Sequence, residues 1–295
     1  MSNQCKLYEP SDHEIEAARI HVASRVVGLR DLDDGQGLGS AVCIKMGNRY
    51  FLATAAHVIS TGHHVEVIMK QGEQPISDYA NSLWDDETAD VGLLELAKEQ
   101  ADRLESFVDE TSLCTSFDAK SAWSVLVGGY PGSQYVPIQR GQIGAVGMIV
   151  LCRTVPLSEW PNDWPPADID SRELGPPHPQ KDILVNYPNE TDIQISGPGL
   201  AYAASRGRSG PTPHPSGVSG GGIWLVLFQE KKKTGLRFPD LRLVGIQTRF
   251  AENRGILRGN LVGVWLDLVK AHYPDLRQTI SGIKRKRGLK LAKSK

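Results

Sequence analysis

The sequence predicts an all-β protein whose helices are confined to the two ends of the chain. Short apolar runs rich in Val, Ile and Leu recur through the middle, among them 65–69, 145–151 and 241–246. The chain contains 30 glycines, which fit frequent tight turns between such strands. Helical spacing of apolar residues occurs near the C-terminus, in L-V-G-V-W-L-D-L-V-K-A-H-Y at 261–273. Near the N-terminus, Ser11 or Asp12 is placed to cap a short helix.

Three motifs in the predicted β region carry side chains of chemically reactive types. The strand and turn F-L-A-T-A-A-H-V-I at 51–59 contains His57, and A-D-V-G-L-L sets Asp90 at the start of an apolar strand. Further along, G-V-S-G-G places Ser219 in a glycine-lined turn. A histidine, a carboxylate and a serine in this chain order form one of the known arrangements of a Ser-His-Asp triad.

Each residue type suits one role in such a triad. A serine hydroxyl is a weak nucleophile that needs a base to take its proton, which assigns Ser219 as nucleophile and His57 as general base and then acid. Asp90 would fix the imidazole tautomer and stabilise the imidazolium. The glycines let the backbone turn sharply, so that the amides of Gly217 and Ser219 point at one spot and form an oxyanion hole.

Taken alone, each motif has an ordinary structural explanation as a glycine-rich turn, a core histidine or a strand cap. A sharper competitor is the nucleophile elbow of α/β-hydrolases, because Gly217, Ser219 and Gly221 also satisfy G-x-S-x-G. That fold requires a helix directly after the serine and the catalytic histidine later in the chain. Here the apolar run I-W-L-V-L-F at 223–228 predicts a strand, and His272 is the only histidine after Ser219.

Beyond the triad motifs, the chain resembles trypsin-like serine peptidases over roughly residues 20 to 270. The runs Q-G-L-G-S-A-V-C-I at 36–44, V-L-V-G-G-Y-P at 125–131 and V-G-I-Q-T at 244–248 are similar to strands of that family, the last to HtrA-type proteases. The resemblance implies two six-stranded antiparallel β-barrels with the active site in the cleft between them. It also implies a serine endopeptidase that works through an acyl-enzyme intermediate without metal or cofactor.

These expectations divide the chain into a short N-terminal segment at 1–19, a first barrel at 20–118 and a second barrel at 119–275. A Pro- and Trp-rich stretch at 154–215 is predicted to be a long insertion, because proline cannot donate to a sheet ladder. Residues 276–295 are predicted to form a basic C-terminal tail.

Two departures from the family pattern bear on regulation and specificity. Val218 stands where zymogen-activated relatives carry an aspartate, so we expect gating by a partner or signal, as in a bacterial stress or defence effector. A silent or conditionally active binding module is the alternative. Pro213 stands where trypsin has its aspartate for basic substrates. By analogy, the substrate pocket includes Gln247, Thr248 and Arg249, with Arg249 either binding an acidic side chain or facing solvent.

Composition and charge favour a cytoplasmic protein that acts on other proteins. The chain has four cysteines without metal-ligand spacing and no secretory or membrane-spanning segment, so reduced thiols, no metal and no membrane partner are expected. Its 33 basic and 34 acidic residues nearly balance. Seven of the basic residues lie within 284–295 and leave a body of about −8. Such a tail could bind nucleic acid, although a solvated segment without a partner is the simpler interpretation.

Overall fold

The fold consists of two antiparallel β units with helices packed at their junction. The computed structural model describes residues 12–33, 35–59, 64–68, 76–77, 83–115, 117–131, 135–139, 142–145, 147–164, 175–187, 215, 217–230 and 237–285. Strands β1–β6 fall before residue 118 and strands β7–β14 after it. Every strand pair between them is antiparallel.

The first unit is a six-stranded sheet in the order β4-β1-β2-β3-β6-β5. Its strands are β1 (Val26–Asp31), β2 (Gly37–Met46), β3 (Arg49–Thr54), β4 (Val65–Val67), β5 (Leu83–Asp86) and β6 (Val91–Leu96). Alternating residues such as Leu29, Leu52 and Leu94 form one apolar cluster on its concave side. Within the described residues β4 and β5 do not pair, so this unit is a half-barrel where a closed barrel was expected.

The second unit is a closed barrel in the order β10-β11-β14-β13-β12-β7. Its strands are β7 (Ser124–Gly129), β10 (Met148–Thr154), β11 (Asp182–Asn186), β12 (Gly222–Glu230), β13 (Arg237–Ala251) and β14 (Ile256–Leu261). The interior is filled by branched residues such as Val127, Val150 and Ile223. A separate hairpin pairs β8 (Tyr135–Gln139) with β9 (Gln142–Ala145).

The predicted insertion at 154–215 is wrong as one continuous unit. The five-residue run D-I-L-V-N at 182–186 forms β11, which pairs with both β10 and β14 and completes the barrel. The part before it is fastened to the barrel by two tryptophans. Trp164 is buried in a cluster with Leu184, and Trp160 packs on that cluster while its Nε1 donates to the carbonyl of Val155 at 3.0 Å. These two tryptophans therefore pack against the barrel.

Helices pack at the junction of the two β units and lie near both ends of the described chain. They are α1 (Asp12–Ala23), α2 (Ala56–Ile59), α3 (Lys98–Ala101), α4 (Val262–His272) and α5 (Arg277–Arg285), with 3₁₀ turns at Glu110–Ser112, Leu157–Glu159, Glu252–Arg254 and Pro274–Leu276. The predicted C-terminal helix is α4. It contacts strands of both units, and its buried Trp265 meets Phe51 of β3 edge to face at 6.0 Å between ring centroids.

Two of the expected segment boundaries fall inside helices. The division at residue 19 lies within α1, whose buried Ala18 and Val22 pack against the second barrel. The supposed tail begins at 276, but α5 buries Ile280 and Ile283 in the cluster between the two units. Because apolar residues three apart share a helix face, α5 belongs to the folded body. Of the basic tail, only 286–295 lies outside the described residues.

The described cysteines are buried and form no disulfide with one another. They are Cys43, Cys114 and Cys152, whereas Cys5 lies outside the described residues. Burial raises the pKa of Cys43 to about 12 and also raises the pKa of Cys152, which suppresses the reactive thiolate. The described part of the chain contains no group of His, Cys, Asp and Glu side chains arranged to hold a metal ion. Among the helices that it contains, none has the length and apolar character needed to cross a bilayer.

The half-barrel, the closed barrel and the C-terminal helix together form the all-β, chymotrypsin-like double-barrel architecture. The strand predicted at 223–228 lies in β12, which removes the helix that an α/β-hydrolase elbow would need.

Candidate active site

The turn that carries Ser219 enters β12 and is held by its own backbone. Gly217 and Gly220 have φ values of 88° and 86°, a region that favours glycine. The amide of Val218 donates to the carbonyl of Pro215 at 3.0 Å, and the amide of Gly221 donates to the carbonyl of Val218 at 2.7 Å. The Val218 side chain is fully buried in the interior cluster of the second barrel. Here an apolar anchor stands in place of the zymogen aspartate and fastens the turn.

The same turn docks on strand β2 of the first sheet. The amide of Ser40 donates to the carbonyl of Ser219 at 2.7 Å. A Cβ on Gly220 would lie 1.9 Å from the carbonyl oxygen of Ser40, so this contact has room for glycine only. A Cβ on Gly39 would lie 2.6 Å from the carbonyl oxygen of Ser219 and 2.8 Å from Val58, the residue after His57. The backbone contacts therefore bring the serine turn and the histidine turn together.

His57 and Asp90 form a hydrogen-bonded pair on the first sheet. Nδ1 of His57 lies 2.9 Å and 3.0 Å from the two carboxylate oxygens of Asp90, and the backbone amide of His57 donates to the same carboxylate at 3.1 Å. The Asp90 side chain is 3% exposed and that of His57 is 30% exposed. The carboxylate is therefore enclosed, while the imidazole is partly exposed to solvent.

The environment of Asp90 keeps its carboxyl group ionised. Burial by itself raises the pKa of Asp90, but the hydrogen bonds from the side chain and amide of His57 outweigh burial. With the charge of Arg249 they hold the pKa below its usual 3.8. Asp90 also has a φ of 52°, the only positive φ of a non-glycine residue among those described. Such backbone strain is concentrated at functional sites.

The hydroxyl of Ser219 points away from the imidazole. It donates to the backbone carbonyl of Thr248 at 3.2 Å, and the described residues show no hydrogen bond between it and His57. Rotation about the Cα–Cβ bond of Ser219 must precede proton transfer to His57. Catalytic hydrogen bonds are often long or misaligned until substrate binds, so this geometry is compatible with a catalytic role of Ser219.

Two backbone amides beside the hydroxyl are positioned for an oxyanion. Among the described residues, the amides of Gly217 and Ser219 donate to no acceptor, whereas those of Val218, Gly220 and Gly221 are all paired. Buried or half-buried amides are normally satisfied, so two unpaired donors flanking a serine indicate a ligand site. These are the two amides that the sequence predicted for an oxyanion hole.

The three predicted pocket residues lie on β13 directly beside this turn. Gln247 pairs by its backbone with both Gly220 and Gly221 at 2.7 Å, and its buried side-chain Oε1 has no hydrogen-bond partner among the described residues. Thr248 is also buried, with its hydroxyl 3.3 Å from the carbonyl of Arg258. Pro213, which the sequence also singled out, lies outside the described residues.

Arg249 crosses toward the first sheet. Its Nε lies 3.6 Å from a carboxylate oxygen of Asp90, and 22% of its side chain is exposed. The sequence suggested an acidic substrate group or solvent as the neighbour of this guanidinium. In the structure it adds a positive charge beside the carboxylate of Asp90.

Two supporting residues escaped the sequence analysis. Asn260 on β14 donates through Nδ2 to the carbonyls of Ala89 and Asp90, and so ties the Asp90 turn to the second barrel. Ser40 contacts the serine turn from the first sheet. No sequence motif surrounds Asn260. Ser40 lies within the strand motif at 36–44, but nothing in that motif distinguishes it from its neighbours.

Comparison with known proteins yields structural similarity only. No protein-family model matches the chain, and no curated protein matches it. Among solved structures, the Rv3671c protease from M. tuberculosis in its active form is 16% identical with a TM-score of 0.46, covering 92% of this chain and 91% of that chain. A serine endoprotease from Yersinia pestis is 14% identical with a TM-score of 0.44, covering 90% and 67%. The serine protease domain of the Sesbania mosaic virus polyprotein is 12% identical with a TM-score of 0.43, covering 85% and 91%.

Proposed function

We propose that the protein is a serine endopeptidase that hydrolyses peptide bonds with Ser219, His57 and Asp90. The observation that carries this proposal is the pair of unpaired amides, of Gly217 and Ser219, on a serine turn docked beside a buried His–Asp pair. A nucleophile, a base with its orienting carboxylate and two donors for developing charge are the parts that acyl transfer needs.

The reaction would begin with rotation of the Ser219 hydroxyl from Thr248 toward His57. Its oxygen attacks the peptide carbonyl carbon while its proton passes to Nε2 of His57, and the carbonyl oxygen becomes an anion facing the two amides. Asp90 remains ionised and stabilises the imidazolium. When the intermediate collapses, the C–N bond breaks and His57 protonates the leaving amine. Water then repeats these steps on the acyl-enzyme and releases the acid.

A fluorophosphonate probe tests the proposal, because an activated serine oxygen displaces its fluoride and becomes covalently labelled. We expect intact mass measurement to show one probe on the wild type and none on Ser219→Ala. His57→Ala should label at least about 10²-fold more slowly, since general-base catalysis contributes that much. Ser112→Ala, which changes a serine in a 3₁₀ turn, is the matched control and should label like the wild type. Labelling that persists in Ser219→Ala would contradict the assignment.

A conditionally active binding module is the second candidate, favoured by the hydrogen bond from Ser219 to Thr248. If this bond held the serine off in solution, a correctly folded wild type would not label until a partner or peptide was added. Labelling of the isolated protein would exclude that alternative. Gating by a signal, a bacterial defence role and a cytoplasmic location stay predictions.

The basic end of the chain supplies a separate test of nucleic-acid binding. Since α5 buries Ile283, a clean truncation removes only 286–295 and leaves the folded body intact. Salt-dependent binding that is lost with this segment would support a nucleic-acid partner. Equal behaviour of the truncated and full chains would leave proteins as the expected partners.

A further inference from the structure

Ser40 is a fully buried serine of the first sheet that meets the nucleophile turn of the second barrel. Its hydroxyl donates to the carbonyl of Gly217 at 3.3 Å and accepts from the amide of Tyr130 at 2.8 Å. Its own amide donates to the carbonyl of Ser219 at 2.7 Å. One residue thus contacts the turn on both sides of the buried Val218 anchor.

The contact to Gly217 fixes one particular peptide plane. The Gly217 carbonyl and the Val218 amide belong to the same peptide unit, which is planar. Ser40 holds the carbonyl end of this plane, and the carbonyl of Pro215 holds the amide end at 3.0 Å. With both ends held, the plane cannot rotate. Its orientation sets the backbone torsions on either side, and therefore the directions of the Gly217 and Ser219 amides.

The single hydrogen of the Ser40 hydroxyl is already committed. A serine hydroxyl offers one donated hydrogen, and this one is directed at Gly217 while Tyr130 occupies an acceptor site. Ser40 is shielded from solvent, and its side-chain hydrogen bonds among the described residues go to Gly217 and Tyr130 and to neither His57 nor Asp90. Its influence on the reaction would therefore pass through the Gly217–Val218 peptide.

We propose that Ser40 is a positioning residue that locks the Gly217–Val218 peptide in the orientation that aims the Gly217 and Ser219 amides at the substrate oxyanion. The proposal rests on the peptidase function proposed above. Loss of the hydroxyl would weaken charge stabilisation in the transition state and leave the His57–Asp90 pair in place. Since removal of an oxyanion donor costs about 10²–10³ in rate, misdirection of the donors should cost about 10–10².

The test compares Ser40→Ala with Thr154→Val, which removes another buried hydroxyl that accepts a backbone amide, here that of Trp123 at 2.9 Å on β10. The probe is a fluorophosphonate, and the readout is its second-order labelling rate on folded protein. We expect Ser40→Ala to label about 10–10²-fold more slowly and Thr154→Val within about twofold of the wild type. A second readout is acylation of His57 by diethyl pyrocarbonate, which should be equal in all three proteins.

Each result of this comparison either supports or refutes the positioning role of Ser40. Ser40→Ala labelling at the wild-type rate, or Thr154→Val losing as much rate as Ser40→Ala, would overturn the positioning role and leave the peptidase proposal standing. A folded wild type that labels neither alone nor with an added partner or peptide would refute the peptidase proposal, and this inference with it. If Ser40→Ala does not fold, Ser40→Cys replaces it, because a thiol is a weaker donor of similar shape. An intermediate labelling rate supports the role, and an unchanged rate refutes it.

Discussion

Replacement of Gly220 by alanine should dismantle the junction between the serine turn and strand β2. The added Cβ would lie 1.9 Å from the carbonyl oxygen of Ser40 and 2.2 Å from the hydroxyl oxygen of Thr54. Both atoms belong to the first sheet, and the Thr54 hydroxyl donates to that same carbonyl at 2.7 Å. The change therefore forces the two β units apart at the point where the nucleophile is held.

Three contributions set the magnitude. Alanine at a φ of 86° costs about 1–2 kcal/mol. Forcing a methyl group into a packed contact costs about 1–3 kcal/mol, and loss of the hydrogen bond from Thr54 to Ser40 costs about 0.5–1.5 kcal/mol. We expect the free energy of unfolding to fall by about 3–6 kcal/mol and labelling of Ser219 to slow at least about 10²-fold.

Urea denaturation and fluorophosphonate labelling measure the two effects on the same samples. Gly263→Ala in α4 is the matched control, because its Cβ would meet no atom within 4 Å. Removing a helical glycine there should raise the free energy of unfolding by about 0.5–1 kcal/mol and leave labelling unchanged. If Gly220→Ala unfolded at the wild-type urea concentration and labelled at the wild-type rate, the docking of the serine turn on β2 would be refuted.

Three further changes test other parts of the structure. Burial, and then the nearby Arg25 charge, lower the pKa of His21 to about 4, below the 6.5 of an unfolded histidine. The unfolded chain therefore binds more protons between these values, and stability should fall as pH drops from 6.5 to 4. In urea denaturation, His21→Gln should make this acid-induced loss of unfolding free energy about 1–2 kcal/mol smaller. This is less than the full pKa shift implies, because His21 is partly exposed. Asp182→Ala would leave Arg258 buried without its bidentate partner and should lower the free energy of unfolding by about 3–5 kcal/mol. As a control, Asp102→Ala removes the exposed ion pair with Lys98 and should lower it by under about 1 kcal/mol. Equal losses in the two variants would contradict this reasoning. Gln247→Leu removes an unpaired buried oxygen and should raise the thermal midpoint; a lower midpoint would mean that the amide is satisfied in solution.

The sequence predicted those parts of the site that are encoded by short motifs. His57, Asp90 and Ser219 each lie in a glycine- or alanine-lined segment next to an apolar strand, so their local pattern was visible. The structure places His57 in the short helix α2, Asp90 directly before β6 and Ser219 shortly before β12. The amides of Gly217 and Ser219 followed from the same turn chemistry. Such features depend only on neighbours within a few residues, so they can be predicted from a single sequence.

Features that depend on distant partners were missed. Ser40 and Gly217 are 177 residues apart, and no local pattern announces their hydrogen bond. Strand β11 was hidden because prolines and tryptophans surround its five residues, yet its neighbours in the barrel supply the pairing. In α5, the basic residues suggested a solvated tail, whereas Ile280 and Ile283 supply the buried face. The half-barrel was likewise invisible, since closure depends on which edge strands meet.

The docking of the serine turn on β2 also has a consequence for synthesis of the chain. Ser40 is made early, but its partners at Gly217 and Ser219 arrive late, and the barrel that holds them is complete only when β14 ends at Leu261. At about 5–20 residues per second, the ribosome takes on the order of 10–45 s to cover this interval. During that time the first sheet exists without Ser219. Under the proposed peptidase function, the nascent chain would therefore be unable to cut itself or its neighbours until folding is nearly finished.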